Sequence, residues 1–200
     1  MVHMSESRPY HHGDLRAALL EAAERTLRDR GAGALSLREL AREIGVSHAA
    51  PGRHFKDKQA LLDALALAGY ERLAEALESA DDPALALEPR LCALAKAYVG
   101  FAAENAALLE LMFTRKHDPE ASAQLAGEVD RSVGSFMRLV ADAQARGEIV
   151  AGDPERITLV AAASMHGLAS FAANGSIPAD QVLAGLDEHI HHLLHGLEPR

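Results

Sequence analysis

At 200 residues, 48% of them hydrophobic, the chain can bury a core without staples, and its one cysteine, Cys92, excludes an internal disulfide framework. No apolar run approaches the roughly 18 residues of a membrane span and no secretory leader is seen, so a reducing cytoplasm is the expected compartment. The net charge of -9 speaks against nucleic acid as a partner of the whole surface, but residues 1–60 carry ten Lys and Arg against eight Asp and Glu, and the rest carry ten against 21. With five of the 11 histidines also in that first stretch, a weakly basic head on an acidic body suits DNA binding through one small surface.

β-branched and aromatic residues are sparse, alternation is never sustained, and Ala, Leu, Glu and Arg recur at three- and four-residue spacing, which predicts an all-α fold. The first helix runs from about Asp14, as N-cap, to Arg30, with Leu15, Ala18, Leu19, Ala22, Thr26 and Leu27 on one face and Gly31 and Gly33 ending it. Ser36-Leu37-Arg38-Glu39 has the spacing of a capping box opening a short helix that stops near Gly45. Ser47 is expected to cap another short helix through Phe55, and Asp57 a long one to about Ser79. After the break at Asp81-Asp82-Pro83 come a helix from about Glu88 to Glu104 and a short apolar one from Leu108 to Thr114. The next runs from Pro119 to Gly147 with Leu125, Val129, Val133, Phe136, Met137 and Val140 inward. Asp153-Pro154 opens a helix to Asn174, and Ser176-Ile177-Pro178 leads into the last, up to Gly196. Nine helices are expected, as a three-helix head over residues 10–57 and a helical body over residues 58–197.

Leu37 to Ser47 carries the information: an amphipathic helix, Gly45 for a tight turn, Val46, and a serine ahead of a second helical segment. This is the grammar of a helix-turn-helix, in which the second segment points its first residues into a major groove. From Tyr10 to about Ala68 the chain resembles the DNA-binding domain of the tetracycline-repressor (TetR) family, through Ser36, Leu40, Ala41, Gly45, Val46, Ser47, Phe55 and Lys58. The resemblance implies that Ser36, Ser47 and Lys58 meet phosphates, while His48, Ala49 and Arg53 lie on or beside base edges of double-stranded operator DNA; Arg38 and His54 belong to the same surface. At Gly52 the chain departs from the family, which places a tyrosine there; the loss of its hydroxyl and the cost of glycine in a helix bear on DNA affinity.

Beyond Ala68 the resemblance narrows to architecture and two echoes: Asn105 to Phe113, and Met165-His166-Gly167, which is similar to a Trp-His-Gly sequence of one TetR subgroup. It implies a dimer built from the last two helices, with Ala161, Ser164 and Leu168 on one and Leu186, Ile190, Leu193, Leu194 and Leu197 on the other. It also implies a pocket for an unidentified small-molecule effector among Tyr70, Tyr98, Phe101, Leu108, Met112, Phe113, Phe136, Met137, Met165 and His166, most of which are equally expected as plain core. The function implied is a dimeric regulator of transcription, by family default a repressor, released from a pseudo-palindromic operator by its ligand through the helix beginning at Lys58.

No metal and no cofactor is expected. Glu188, His189, His191, His192 and His195 circle their helix and read as solvated, and Cys92 reads as core. Tyr10-His11-His12-Gly13 fits either an arm along phosphates or a plain tail. Two other functions stay open: an interaction module that has lost DNA reading at Gly52, and, ranked last for want of a nucleophile–base pair or phosphate loop, an enzyme.

Overall fold

The computed structural model describes residues 12–196; Tyr10, His11 and Leu197, named above, lie outside them. Among the described residues there are eight α-helices, two short 3-10 turns and no strand. The chain divides into two compact units, one through Leu65 and one from Ala66.

The first unit contains α1 (His12–Arg30), a 3-10 turn at Ala32–Ala34, α2 (Leu37–Glu43), a second 3-10 turn at Pro51–Arg53, and the opening turns of α3 (Lys58–Ala80). Leu19, Ala22, Ala23 and Leu27 of α1 are buried with Leu35, Leu40, Ala41, Phe55, Leu61 and Leu65, so one apolar stripe per helix closes a small core. The exposed ends of α1 and α2 are tied by Arg25 and Glu43 at 2.9 Å, and Arg16 lies 5.6 Å over the Phe55 ring.

Three local expectations need correction here. Ser47–Phe55 is not an α-helix: Pro51 has no N–H to return to the Ser47 carbonyl, and most of the bonds that form are one residue shorter, Ala50 N–H to Ser47 O at 3.0 Å and Arg53 N–H to Ala50 O at 3.2 Å, with an α-type bond only at the end, Phe55 N–H to Pro51 O at 2.9 Å. The described residues thus hold eight α-helices in place of the nine expected. Ser36 does occupy the N-cap of α2, but its side chain makes no capping bond, so the Ser36–Glu39 box is not closed and the hydroxyl is left over for another acceptor or donor. The first helix starts at His12, two residues before Asp14. Asp57 and Asp153 do cap, accepting from Ala60 N–H at 2.8 Å and Glu155 N–H at 3.0 Å.

The second unit holds the rest of α3, α4 (Leu87–Glu104), α5 (Ala106–Lys116), α6 (Ala123–Ala145), α7 (Pro154–Ala173) and α8 (Ala179–His195). α4 packs against both α7 and α8, and α6 packs against α5 and α7. Val99 and Ala102 of α4, Met112 of α5, Leu125 and Ala143 of α6, Ala169 of α7 and Leu186 of α8 are buried in this core. Gly69 lets α3 approach α5 closely, since a Cβ there would sit 2.6 Å from the Met112 sulfur. On α6, Val133 is exposed rather than inward, because it falls on the flank of the stripe centred on Leu125, Phe136 and Ala143. No described helix is long and apolar enough to cross a membrane.

Candidate nucleic-acid interface and ligand cluster

Gly45 turns the chain out of α2 with φ of 74°, a left-handed conformation that costs other residues strain, and Val46 N–H closes the turn on Ala41 O at 2.9 Å. That turn presents the following segment outward: Ser47, His48, Ala49, Gly52 and Arg53 are all exposed, as is Arg38 on α2. Ser36, Arg38, Glu39, Arg42 and His48 line a depression of about 380 Å³ in which two guanidiniums and an imidazole outnumber one carboxylate. Arg42 was not among the expected contacts, although its place one turn after Arg38 puts both on one helix face. Lys58 donates to the Gly33 carbonyl at 3.0 Å, which ties the start of α3 to the turn before Ser36 and holds the ammonium at that edge. His54 is half-buried, with Nε2 turned inward and lacking a hydrogen-bond partner, so it belongs to the support of the segment more than to its outer face.

In the second unit the expected ligand residues separate into two groups. Tyr70, Phe101, Leu108 and Met112 are buried, and Tyr98, Phe113, Phe136, Met137, Met165 and His166 are half-buried. His166 gathers one cluster: its ring stacks on Phe113 with centroids 3.9 Å apart, Nδ1 lies 3.2 Å from the Tyr98 hydroxyl and Nε2 lies 3.4 Å from Ser170 Oγ. Ser170, four residues after His166 on α7, was not anticipated; the helical spacing was the available signal. The Tyr70 hydroxyl donates to Met112 O at 3.5 Å beside this cluster, and Lys116 lies 5.6 Å over the Phe113 ring. No hydrogen bond or ring contact joins Phe136, Met137 or Met165 to the cluster among the described residues.

Burial pushes the Tyr70 hydroxyl up to about 12 and raises Tyr98 further, so both phenols stay protonated donors. Burial, with the Lys116 charge added, holds His166 below its ordinary range, so the ring is neutral at neutral pH and can accept the Tyr98 proton at Nδ1. The unfolded chain takes up this proton near pH ~6.5 and the folded chain only lower, so stability is intact above that pH and is lost as pH falls from it toward the folded value. In calorimetry from about pH 7.5 to about pH 5.5, the wild-type Tm is therefore expected to fall more than that of His166→Gln; parallel slopes would show that this imidazole contributes nothing to the acid limb.

The residues expected at a dimer interface also divide. Leu186 and Ile190 are 0% and 2% exposed inside their own protomer. Ala161, Ser164, Leu168, Leu193 and Leu194 are half-buried, and Ser164 Oγ is held by His189 Nε2 at 2.6 Å. Large apolar side chains that do face outward were not among the expected residues: Leu159, Val160 and Phe171 on α7 are 67%, 61% and 46% exposed.

A basic helix-turn-helix joined to a larger helical body with a half-buried histidine–aromatic cluster defines the class of DNA-binding transcription regulators. The chain matches the family "Bacterial regulatory proteins, tetR family" over residues 19–65 and "Tetracyclin repressor-like, C-terminal domain" over residues 91–197, more than half its length. It belongs to the TetR family of transcription regulators.

Among relatives, the HTH-type transcriptional regulator Rv1816 of Mycobacterium tuberculosis is 32% identical over 141 residues, which is 68% of this chain and 59% of that protein. The chain thus spans somewhat over half the length of the curated relatives it matches. A solved protein of unknown function from Rhodococcus sp. RHA1 is 47% identical with a TM-score of 0.81, covering 94% of this chain and 99% of that one. The fatty acid degradation regulator FadR of Bacillus halodurans shares the fold, with a TM-score of 0.74 at 15% identity, over 92% of this chain and 100% of that one.

Proposed function

We propose that the chain is a ligand-released repressor that reads a pseudo-palindromic operator as a homodimer. The observation that carries the ligand half of this reading is the Tyr98–His166–Phe113 cluster: two hydrogen-bonding rings stand half-buried among apolar side chains, where plain packing would favour aliphatic ones. Its chemistry suits a mostly apolar effector with one polar group to exchange bonds with Tyr98 or His166, and Met112 beside it can adapt its shape. Ser36, Arg38, Arg42, Ser47 and Lys58 serve phosphates, and His48, Ala49 and Arg53 face bases. α3 carries both Lys58 and Tyr70, and we assign it the coupling of effector to operator.

The dimer surface we assign is the outward stripe Val160, Ala163, Gly167 and Phe171 of α7, with Ala161, Ser164 and Leu168 at its margin and Leu193 and Leu194 of α8 alongside. Small residues in the middle of that stripe allow two copies of α7 to approach closely.

Gly52 gives the test. It is exposed, and a Cβ built on it meets nothing within 4 Å, so a side chain can leave the backbone there without a clash at its first atom. Gly52→Tyr narrows the backbone freedom of this exposed turn and adds a hydroxyl for phosphate, a charge-assisted bond, so tighter operator binding by about tenfold is expected. Fluorescence anisotropy with the upstream intergenic DNA and a scrambled control, over a salt series, reads this directly. Preference for the upstream DNA by both proteins supports the regulator; equal weak binding to both DNAs by both proteins refutes operator reading through this head.

A further inference from the structure

Glu88 stands in the first turn of α4, and His191 and His195 stand one turn apart at the end of α8. Over sequence separations of 103 and 107 residues the fold brings the three together: His191 Nδ1 lies 3.0 Å from one Glu88 oxygen and His195 Nε2 lies 3.2 Å from the other. All three potential ligand atoms fall within 4.8 Å of one another, and the two imidazole rings are 4.6 Å apart. We propose that Glu88, His191 and His195 form a binding site for a divalent first-row transition ion of the Zn²⁺ type, clamping the start of α4 to the end of α8.

The donor set and the spacing both point there. Two imidazole nitrogens and one carboxylate are the ligands that borderline ions such as Zn²⁺ take, and hard oxygen-seeking ions do not. On a tetrahedral ion with bonds of ~2.0–2.1 Å, neighbouring ligand atoms stand ~3.3 Å apart, close to the observed nitrogen–oxygen separations, so small side-chain rotations suffice. The His191 and His195 rings are exposed and Glu88 is half-buried, which leaves the remaining coordination positions open to water. The partial negative charge at the C-terminal end of α8 adds to the attraction for a dication.

The neighbours set the limits of the site. His192 turns to Glu188 at 3.6 Å, and His189 is held by Ser164, so neither joins the three. Cys92, one turn along α4, donates to Asp187, and burial holds its thiol protonated, so it offers no thiolate.

The test uses the untagged full chain, freed of metal with chelator and titrated with Zn²⁺ against a chromophoric competitor, with Tm followed in parallel. One ion per protomer and a Tm raised by several degrees are expected. His191→Ala, His195→Ala and Glu88→Gln should each weaken Zn²⁺ by at least about tenfold, since even loss of outer partners costs ~10–100-fold, while His192→Ala should not. His191→Gln and His195→Gln serve where an alanine variant loses helicity. Absence of a saturable site, or one that persists in the double His191→Ala/His195→Ala variant, overturns the proposal.

Discussion

Val160→Glu combined with Phe171→Glu is expected to give a folded monomer with operator affinity lowered by about 100-fold or more. Both side chains project from α7 with about half or more of their surface in water, at 61% and 46% exposure, so neither is needed for the protomer's own core. With Ala163 and Gly167 between them they form one outward apolar stripe, the feature that marks an interaction surface on an otherwise acidic body. In the proposed dimer, glutamates placed there would meet glutamates of the second copy, and unpaired buried charges oppose association strongly. Operator affinity then falls because two linked heads gain ~10²–10⁴ in avidity over either alone. Light scattering after size exclusion and anisotropy with operator DNA read the two consequences together. A double variant that stays dimeric moves the interface off this stripe; a monomer that keeps full operator affinity removes the dimer from DNA reading.

The sequence exposes what local chemistry decides and conceals what distant partners decide. α3 and α7 are legible because Asp57 and Asp153 accept backbone N–H bonds at their starts, a device written within three residues. The turn at Gly45 is legible for the same reason, and so is the head it builds. The segment after it is misread as a helix when the Ser47 cap is given more weight than Pro51, whose missing N–H is also a local fact. The stripe on α8 shows a different limit. Leu186 and Ile190 announce that this face must be covered, and nothing in their spacing says whether α4 of the same chain or a second copy covers it. His191 and His195 look solvated on their own helix, and only Glu88, more than a hundred residues earlier, turns them into a constellation. In the His166 cluster, Met165-His166-Gly167 marks the place, while Ser170 and the stacking of Phe113 require the packed body to be seen.

Leu186→Ala separates the two kinds of apolar residue on the last two helices. Leu186 has no exposed surface and is among the largest fully buried side chains, and α8 packs it inward onto the same body that holds Ala95, Val99 and Ala102 of α4. Truncation leaves a cavity that rigid neighbouring helices fill poorly, so a loss of about 2–5 kcal/mol is expected, which in a protein of this size lowers Tm by about 2–4 °C per kcal/mol. Because the side chain faces its own protomer, the variant should remain dimeric and read its operator normally at temperatures well below the new Tm. Denaturant unfolding monitored by helical circular dichroism, paired with sedimentation at low temperature, distinguishes the cases. A Tm drop with an unchanged dimer places Leu186 in the protomer core, whereas dissociation at unchanged protomer stability would return it to the interface. The contrast with the glutamate pair on α7 would then be complete: one substitution attacks the fold and spares the proposed assembly, and the other does the reverse, because Leu186 is buried within its own protomer while Val160 and Phe171 are exposed.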